Sequence, residues 1–127
     1  MPTLSERASS ARVCYLATTG RVTGRPHEIE IWFATEPDTV STIYLLSGGR
    51  HRADWVRNIR HDPAVFVRAG DGRYRGTARI LTPDDAADRR AREIVAANYQ
   101  GWQPGQPFSQ WARDSLAIAI ELEGPLK

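Results

Sequence analysis

The chain reads as a mainly β (α+β) protein, about six antiparallel strands forming a small barrel with helices at its periphery. Three observations point there. Short segments with period-two hydrophobic alternation or continuous apolar character recur along the sequence. The links between most of them are of hairpin length, which implies antiparallel pairing. There is no β-α-β alternation and no G-x-G-x-x-G after a strand, so a parallel dinucleotide-binding sheet is not expected. About six strands in 127 residues suit one domain over 1–127 that closes on itself as a barrel.

Leu4 to Arg12 is a short, weak helix candidate. V-C-Y-L-A-T-T, Val13 to Thr19, reads as a mostly buried strand. After a Gly-Arg turn, H-E-I-E-I-W-F-A alternates strictly: Ile29, Ile31 and Phe33 face one way, Glu28, Glu30 and Trp32 the other. E-P-D-T-V-S-T is a turn, and Thr42 to Leu46 is the third strand, ending at Ser-Gly-Gly. R-A-D-W-V-R-N-I-R-H-D reads as a helix with Trp55, Val56 and Ile59 on its apolar side, stopped by Pro63. Ala64 to Ala69 and Arg73 to Leu81 make a hairpin through G-D-G. On its second arm Arg73, Arg75, Thr77 and Arg79 share one face. T-P-D-D opens a helix running to about Tyr99, with Thr82 as cap, Pro83 in the first turn and two acids at the positive end of the dipole. A Gly/Pro/Gln loop, a short turn around Trp111 and a last strand, Leu116 to Leu122, complete the chain.

Composition excludes several classes. The N-terminal stretch has no apolar run of signal-peptide type, and no segment approaches the roughly 20 apolar residues that span a bilayer. A lone Cys14 forms no internal disulfide, so a reducing cytoplasm is the default. One Cys and three scattered His make no metal-ligand pattern. Of 17 basic residues all but Lys127 are Arg, a bias that suggests a GC-rich genome. From Arg50 to Arg79 eight Arg stand against three Asp, a local positive field suited to anions. Nucleic acid is not the expected partner, because the Arg-bearing strand keeps Tyr74 on its opposite face and offers no exposed aromatic platform.

Four groups of residues invite a chemical reading. Ser47, His51 and Asp54 fall within eight residues, without a nucleophile elbow, and make a poor triad. Glu28 and Glu30 share a strand face with Trp32, which is better explained as a solvated or ion-paired face. Ser47-Gly48-Gly49-Arg50, leading into Trp55 and Asn58, ends a strand in free backbone amides that suit an anion or the polar edge of a heterocycle. In T-T-G-R-V-T-G-R-P-H, Gly20 and Gly24 permit positive φ, so amides converge, while Arg21 and Arg25 supply charge-assisted donors. Three Arg-bearing segments suit one acidic ligand better than three accidents.

These segments also carry a resemblance. T-T-G-R-V-T-G-R-P-H, Y-L-L-S-G-G-R, D-W-V-R-N-I-R-H-D-P-A-V-F-V-R and Y-R-G-T-A-R, in this order over roughly Val13 to Leu81, resemble the deazaflavin-dependent nitroreductase family of actinobacteria. The resemblance implies a split β-barrel like that of flavin reductases and pyridoxamine-phosphate oxidases, binding coenzyme F-420, a deazaflavin with a phosphodiester and a polyglutamate tail. By position, Arg21, Val22, Thr23, Gly24, Arg25 and His27 would hold the phosphate and tail. Ser47, Gly48, Gly49 and Arg50 would meet the deazaflavin edge, Trp55 would line the pocket, and Asn58 would bond the ribityl chain. Tyr99 and Trp102, with Trp55, would face the substrate. Val22 and His27 stand where many members carry basic residues, so the phosphate grip would lean on Arg21 and Arg25, helped by Arg50 and Arg52.

The implied activity is hydride transfer from reduced F-420 to an electron-poor small molecule, an enone, quinone or nitro compound. No catalytic residue is assigned; Ser47 and Tyr99 are the candidates. The same barrel also admits FMN as an alternative cofactor, or a non-catalytic role in binding haem, another tetrapyrrole or a fatty acid. Trp32 and Trp111 are candidate anchors of a homodimer interface, a role that core packing explains equally well.

Overall fold

The computed structural model describes residues 11–36 and 39–125. Its strands are β1 (Cys14–Thr19), β2 (Pro26–Ile31), β3 (Ala34–Glu36), β4 (Thr39–Ser47), β5 (Ala64–Ala69), β6 (Gly72–Ile80) and β7 (Leu116–Pro125). A 3-10 turn, Arg50–Arg52, precedes helix α1 (Asp54–His61); α2 (Ala86–Gln100) and the short α3 (Gln110–Asp114) lie between β6 and β7. All seven strands belong to one sheet in the order β2-β1-β5-β6-β7-β4-β3, and every neighbouring pair is antiparallel.

That order forces closure. β2 and β3 are the two edges, yet only Trp32 and Phe33 separate them along the chain. A flat sheet of this width would hold its edges roughly 29 Å apart, whereas three Cα steps reach about 11 Å at most. The sheet therefore curls until its edges meet. No ladder joins β2 to β3 among the described residues, so the barrel is split along that seam.

The single strand expected over H-E-I-E-I-W-F-A is thus two strands on opposite edges. The side-chain alternation persists, with Glu30 and Trp32 outward and Phe33 buried, which is why the pattern looked continuous. The backbone is interrupted by Tyr99 of α2, whose hydroxyl accepts from the Phe33 N–H at 3.1 Å and lies 2.8 Å from the Phe33 carbonyl. Those groups are withdrawn from any ladder, and the chain changes partner from β1 to β4. This raises the strand count from six to seven.

Two apolar layers result. Leu16, Ile43, Leu45, Val56, Val65, Val67, Ile118 and Ile120 fill the barrel. Tyr44, Leu46, Ala117 and Ala119 face the other way and bury Ile94, Val95 and Ala96 of α2. β4 and β7 are thus covered on both faces, which explains their continuous apolar sequences. The alanines let the helix approach closely.

Other boundaries also shift. The cap of α2 is Asp85, whose side chain accepts from Ala87 N at 2.9 Å, rather than Thr82. Leu81 N–H still bonds Ala117 O at 2.9 Å, so the chain stays along β7 and turns through residues 82–85 before the helix can begin. β4 starts at Thr39, inside the expected turn, and β7 extends to Pro125, paired with Tyr74. Leu4 to Arg12, the expected first helix, lies largely outside the described residues. Among those residues no helix is long and apolar enough to cross a membrane.

Candidate functional site

The Gly20–Arg25 turn is fastened to α1. Gly20 N–H donates to Arg25 O at 2.7 Å and Gly24 N–H to Gly20 O at 2.8 Å, closing the loop. Gly24 takes the left-handed φ of 75° that the sequence suggested. Gly20 does not; it is small because a Cβ there would sit 2.8 Å from the His27 ring and 2.9 Å from Arg25 O. Arg21 reaches across to α1. Its backbone N–H and Nη1 both donate to Asn58 Oδ1, at 3.2 and 2.9 Å, and Nη2 pairs with Asp54 at 3.2 Å.

Asn58 completes the fastening inward. Its Nδ2 donates to buried Thr18 Oγ1 at 3.0 Å, and the residue is only 2% exposed. The carboxamide expected to bond a ribityl chain is therefore spent on holding β1, the turn and α1 together. Arg21 likewise gives most of its donors to the protein. Arg25 is different: its N–H donates to Thr23 Oγ1 at 3.2 Å, and its exposed guanidinium has no partner among the described residues. Gly20, Arg21, Val22, Thr23, His27, Asp54 and Asn58 line a cleft of about 230 Å³ here.

The second segment begins where Ser47 pairs with Leu116 at the end of the β4–β7 ladder. The left-handed residue is Arg50, φ 55°, not either glycine. Ser47 Oγ donates to Arg50 O at 3.1 Å and steadies that conformation. Gly48 is small because a Cβ would lie 3.0 Å from Trp111 Nε1. Arg50 stands 3.9 Å from Asp114, whose carboxyl is held below the usual carboxylate range by its hydrogen bond to Arg113, with the charges of Arg113 and Arg50 adding. Ser47 is buried with its hydroxyl committed, so it is not poised to move a proton. Trp55, expected to line the pocket, is 9% exposed and belongs to the barrel core. The amphipathic spacing of α1 turns it inward.

A third cluster was not legible in the sequence. Trp32 stacks on Tyr99 with ring centroids 4.6 Å apart and planes 7° from parallel, and meets Trp111 nearly perpendicularly at 5.5 Å. Trp111 is the common wall of two clefts. One, about 430 Å³, includes Val13, Glu30, Trp32, Leu46 and Gln100. The other, about 220 Å³, includes Gly48, Arg50, Gln110, Asp114 and Ser115. The Tyr99 hydroxyl lies 2.8 Å from both Arg12 O and Phe33 O, and burial raises its pKa. Like Ser47, it is tied down rather than free to serve as a proton donor. Trp102 packs on Phe108 at 5.2 Å with its indole N–H on Gln106 O, and lines none of these clefts.

Arg92 places Trp111. From α2 its Nη1 donates to the carbonyls of Ala112, Arg113 and Ser115 at 2.8, 3.1 and 2.6 Å, while Nε and Nη2 pair with Asp88 at 3.1 Å. It satisfies the carbonyls at the end of α3, a helix too short to be stable alone. The signal in the sequence was a mid-helix arginine like its neighbours Arg89 and Arg90, with nothing to mark it as buried. A larger groove, about 460 Å³, lies on the outer face of β1, β2 and β5. There Arg68 is spent on Glu28 at 3.1 Å and on the Tyr15 ring at 4.0 Å, while Arg73 also lines the groove.

Fold and clefts define a split-barrel protein of the pyridoxamine-phosphate-oxidase kind, with basic turns at one end of the barrel. The chain belongs to the F-420H(2)-dependent quinone reductase family, whose model matches residues 3–122. It is 28% identical over 83 residues to the F-420H(2)-dependent quinone reductase of Mycobacterium tuberculosis. That match covers 65% of this chain and 56% of the relative, so it spans just over half of the relative's length. Among solved structures, a Bacteroides thetaiotaomicron protein assigned to 5-nitroimidazole antibiotic resistance superposes with TM-score 0.71 at 16% identity, covering 94% of this chain and 77% of that one. A Listeria innocua protein assigned as a pyridoxamine 5′-phosphate oxidase gives 0.66 at 19% identity, covering 91% and 86%. At such identities these two likenesses establish the fold.

Proposed function

We propose that the chain is an oxidoreductase that uses reduced coenzyme F-420 to reduce an electron-poor small molecule, a quinone foremost and enones or nitro compounds by the same chemistry. The observation that carries this reading is the pair of turns flanking the start of α1. One is locked by Arg21 and Asn58 and leaves the Arg25 guanidinium unspent; the other presents Gly48 and Arg50 at a cleft mouth. That donor set fits a ligand with a phosphodiester and a polyanionic tail. Arg25 and Arg52 are exposed cations without partners among the described residues, and Arg21 fixes the turn that carries Arg25. Arg25, Thr23 and His27 would hold the phosphate end, and Gly48 to Arg50 the ring edge.

When bound, the reduced deazaflavin would supply a hydride and give up one proton to solvent on oxidation, while the acceptor would gain that hydride and one proton. The protein's own contribution is position and charge. Fixed orientation alone can be worth roughly 7–11 kcal/mol, and the locked turn and left-handed Arg50 are rigid elements of that kind. The Ser47 and Tyr99 hydroxyls are committed to carbonyls, which favours solvent as the source of the acceptor's proton. Parallel titrations of the purified chain with F-420 and FMN test the reading. Tight binding of F-420 and weak binding of FMN is expected; the reverse order, or indifference to both, would overturn it.

A further inference from the structure

We propose that the cleft walled by Trp32 and Trp111 seats the electron acceptor, and that the Glu30 carboxylate in its wall selects neutral planar acceptors against anionic ones. The proposal rests on the deazaflavin-dependent reading above and assigns the other half of that reaction to a place.

The cleft, about 430 Å³, falls within the roughly 300–1,000 Å³ typical of small-molecule sites. Its aromatic surface is held in advance. Trp32 remains 38% exposed while one face is stacked on Tyr99, whose hydroxyl is anchored to the backbone between β2 and β3. Trp111 is held by the α3 end that Arg92 caps. A flat conjugated ring packing on pre-positioned indoles loses little to side-chain ordering.

Charge divides the two clefts that share Trp111. On the Gly48 side stand Arg50 and its loose ion-pair partner Asp114, 3.9 Å away, with the Gly48 backbone beside them. On the other side, among the described residues, no arginine lines the wall and Glu30 is its one charged group. Its sole side-chain partner among the described residues is the Tyr15 hydroxyl at 2.9 Å. The nearby cation, Arg68, is paired with Glu28. A carboxylate a few ångströms from an anionic ligand repels it even where, as at Glu30, the group is exposed to solvent. A neutral quinone is not affected in this way.

Two measurements test this. In the coenzyme-free protein, naphthoquinone is titrated against the four indole N–H signals, assigned with Trp→Phe variants. Saturable shifts at Trp32 and Trp111, with Trp102 unmoved, are expected; no shift at the first two, or an equal shift at all, overturns the proposal. In turnover with reduced F-420, Glu30→Gln should raise the ratio of kcat/KM for naphthoquinone sulfonate over naphthoquinone about ten-fold. An unchanged ratio overturns the role of Glu30. Indole shifts in a chain that neither binds nor oxidises reduced F-420 would overturn the coenzyme reading alone. Turnover without those shifts would overturn the cleft alone.

Discussion

One acceptor atom, Oδ1 of Asn58, receives both the backbone N–H and the Nη1 of Arg21, at 3.2 and 2.9 Å across 37 residues of sequence. The other end of the same carboxamide donates to Thr18. Asn58 thereby ties the first strand, the basic turn and α1 with one buried side chain, and the position of the turn depends on it. Asn58→Ala leaves the Thr18 hydroxyl and the Arg21 donors short of partners, which should cost about 1–3 kcal/mol. Urea unfolding measures it, and a loss under about 0.5 kcal/mol would show that the contact is slack.

Arg21 and Arg25 look equivalent in the sequence and should behave differently. Arg25→Ala removes an unpaired surface cation, so stability should change by less than about 0.5 kcal/mol while F-420 binding weakens and its salt dependence diminishes. Arg21→Ala should reduce both stability and binding. Equal effects of the two substitutions on stability would contradict the assignment.

Arg50 carries a left-handed backbone, φ 55°, that costs a residue with a Cβ about 1 kcal/mol. Its ion pair with Asp114, 3.9 Å long and exposed, recovers little. Arg50→Gly should therefore hold or raise the unfolding midpoint while lowering coenzyme affinity. A clear loss of stability would mean that Arg50 is part of the structural core of the turn.

Burial pushes the Cys14 thiol up to about 12 from its ordinary 9.0. Above pH 9.0 the unfolded chain loses this proton while the folded chain keeps it. The associated stability is full below that pH and falls by about 1.4 kcal/mol per unit as pH rises toward the folded value. Tyr99, raised by burial from 10.0, acts in the same direction at higher pH. Cys14→Ala should be less stable at neutral pH but show a flatter decline on the alkaline side, read from unfolding curves over that range.

Arg92 and Asp88 form a largely buried pair. Arg92→Leu should cost about 3 kcal/mol or more, because Asp88 and three carbonyls lose their partner together. Asp88→Leu in the same chain should restore part of the loss. Since Arg92 holds the end of α3, the single variant should also broaden the Trp111 indole signal; an unchanged signal would separate Arg92 from the cleft.

Much of the fold was legible because local patterns record it. Alternation marked the strands, G-D-G the hairpin, and the apolar side of Trp55, Val56 and Ile59 the buried side of α1. Four ordered motifs also indicated the family. The break at Trp32–Phe33 left no such mark: side chains alternate through it, and the interruption comes from the hydroxyl of Tyr99, 66 residues away. Thr82 looked like the cap of α2 because it precedes Pro83, but the bond from Leu81 to β7 carries the chain past it, and Asp85 takes the role.

The sequence by itself determined which segments carry cations, the Gly-rich turns, and the barrel that its strands build, since those follow from residue type and near-neighbour spacing. Only the tertiary structure decided which of those groups remain available. Asn58, Tyr99 and most of Arg21 are consumed by partners far away in the chain, Ser47 by the nearby Arg50 carbonyl, and Trp55 is turned into the core. Trp111, unmarked by any motif, is brought by Arg92 to the wall between two clefts. A hydrogen-bond donor serves a ligand only when the fold has not already used it, and that is settled by packing across the molecule rather than by any local stretch of sequence.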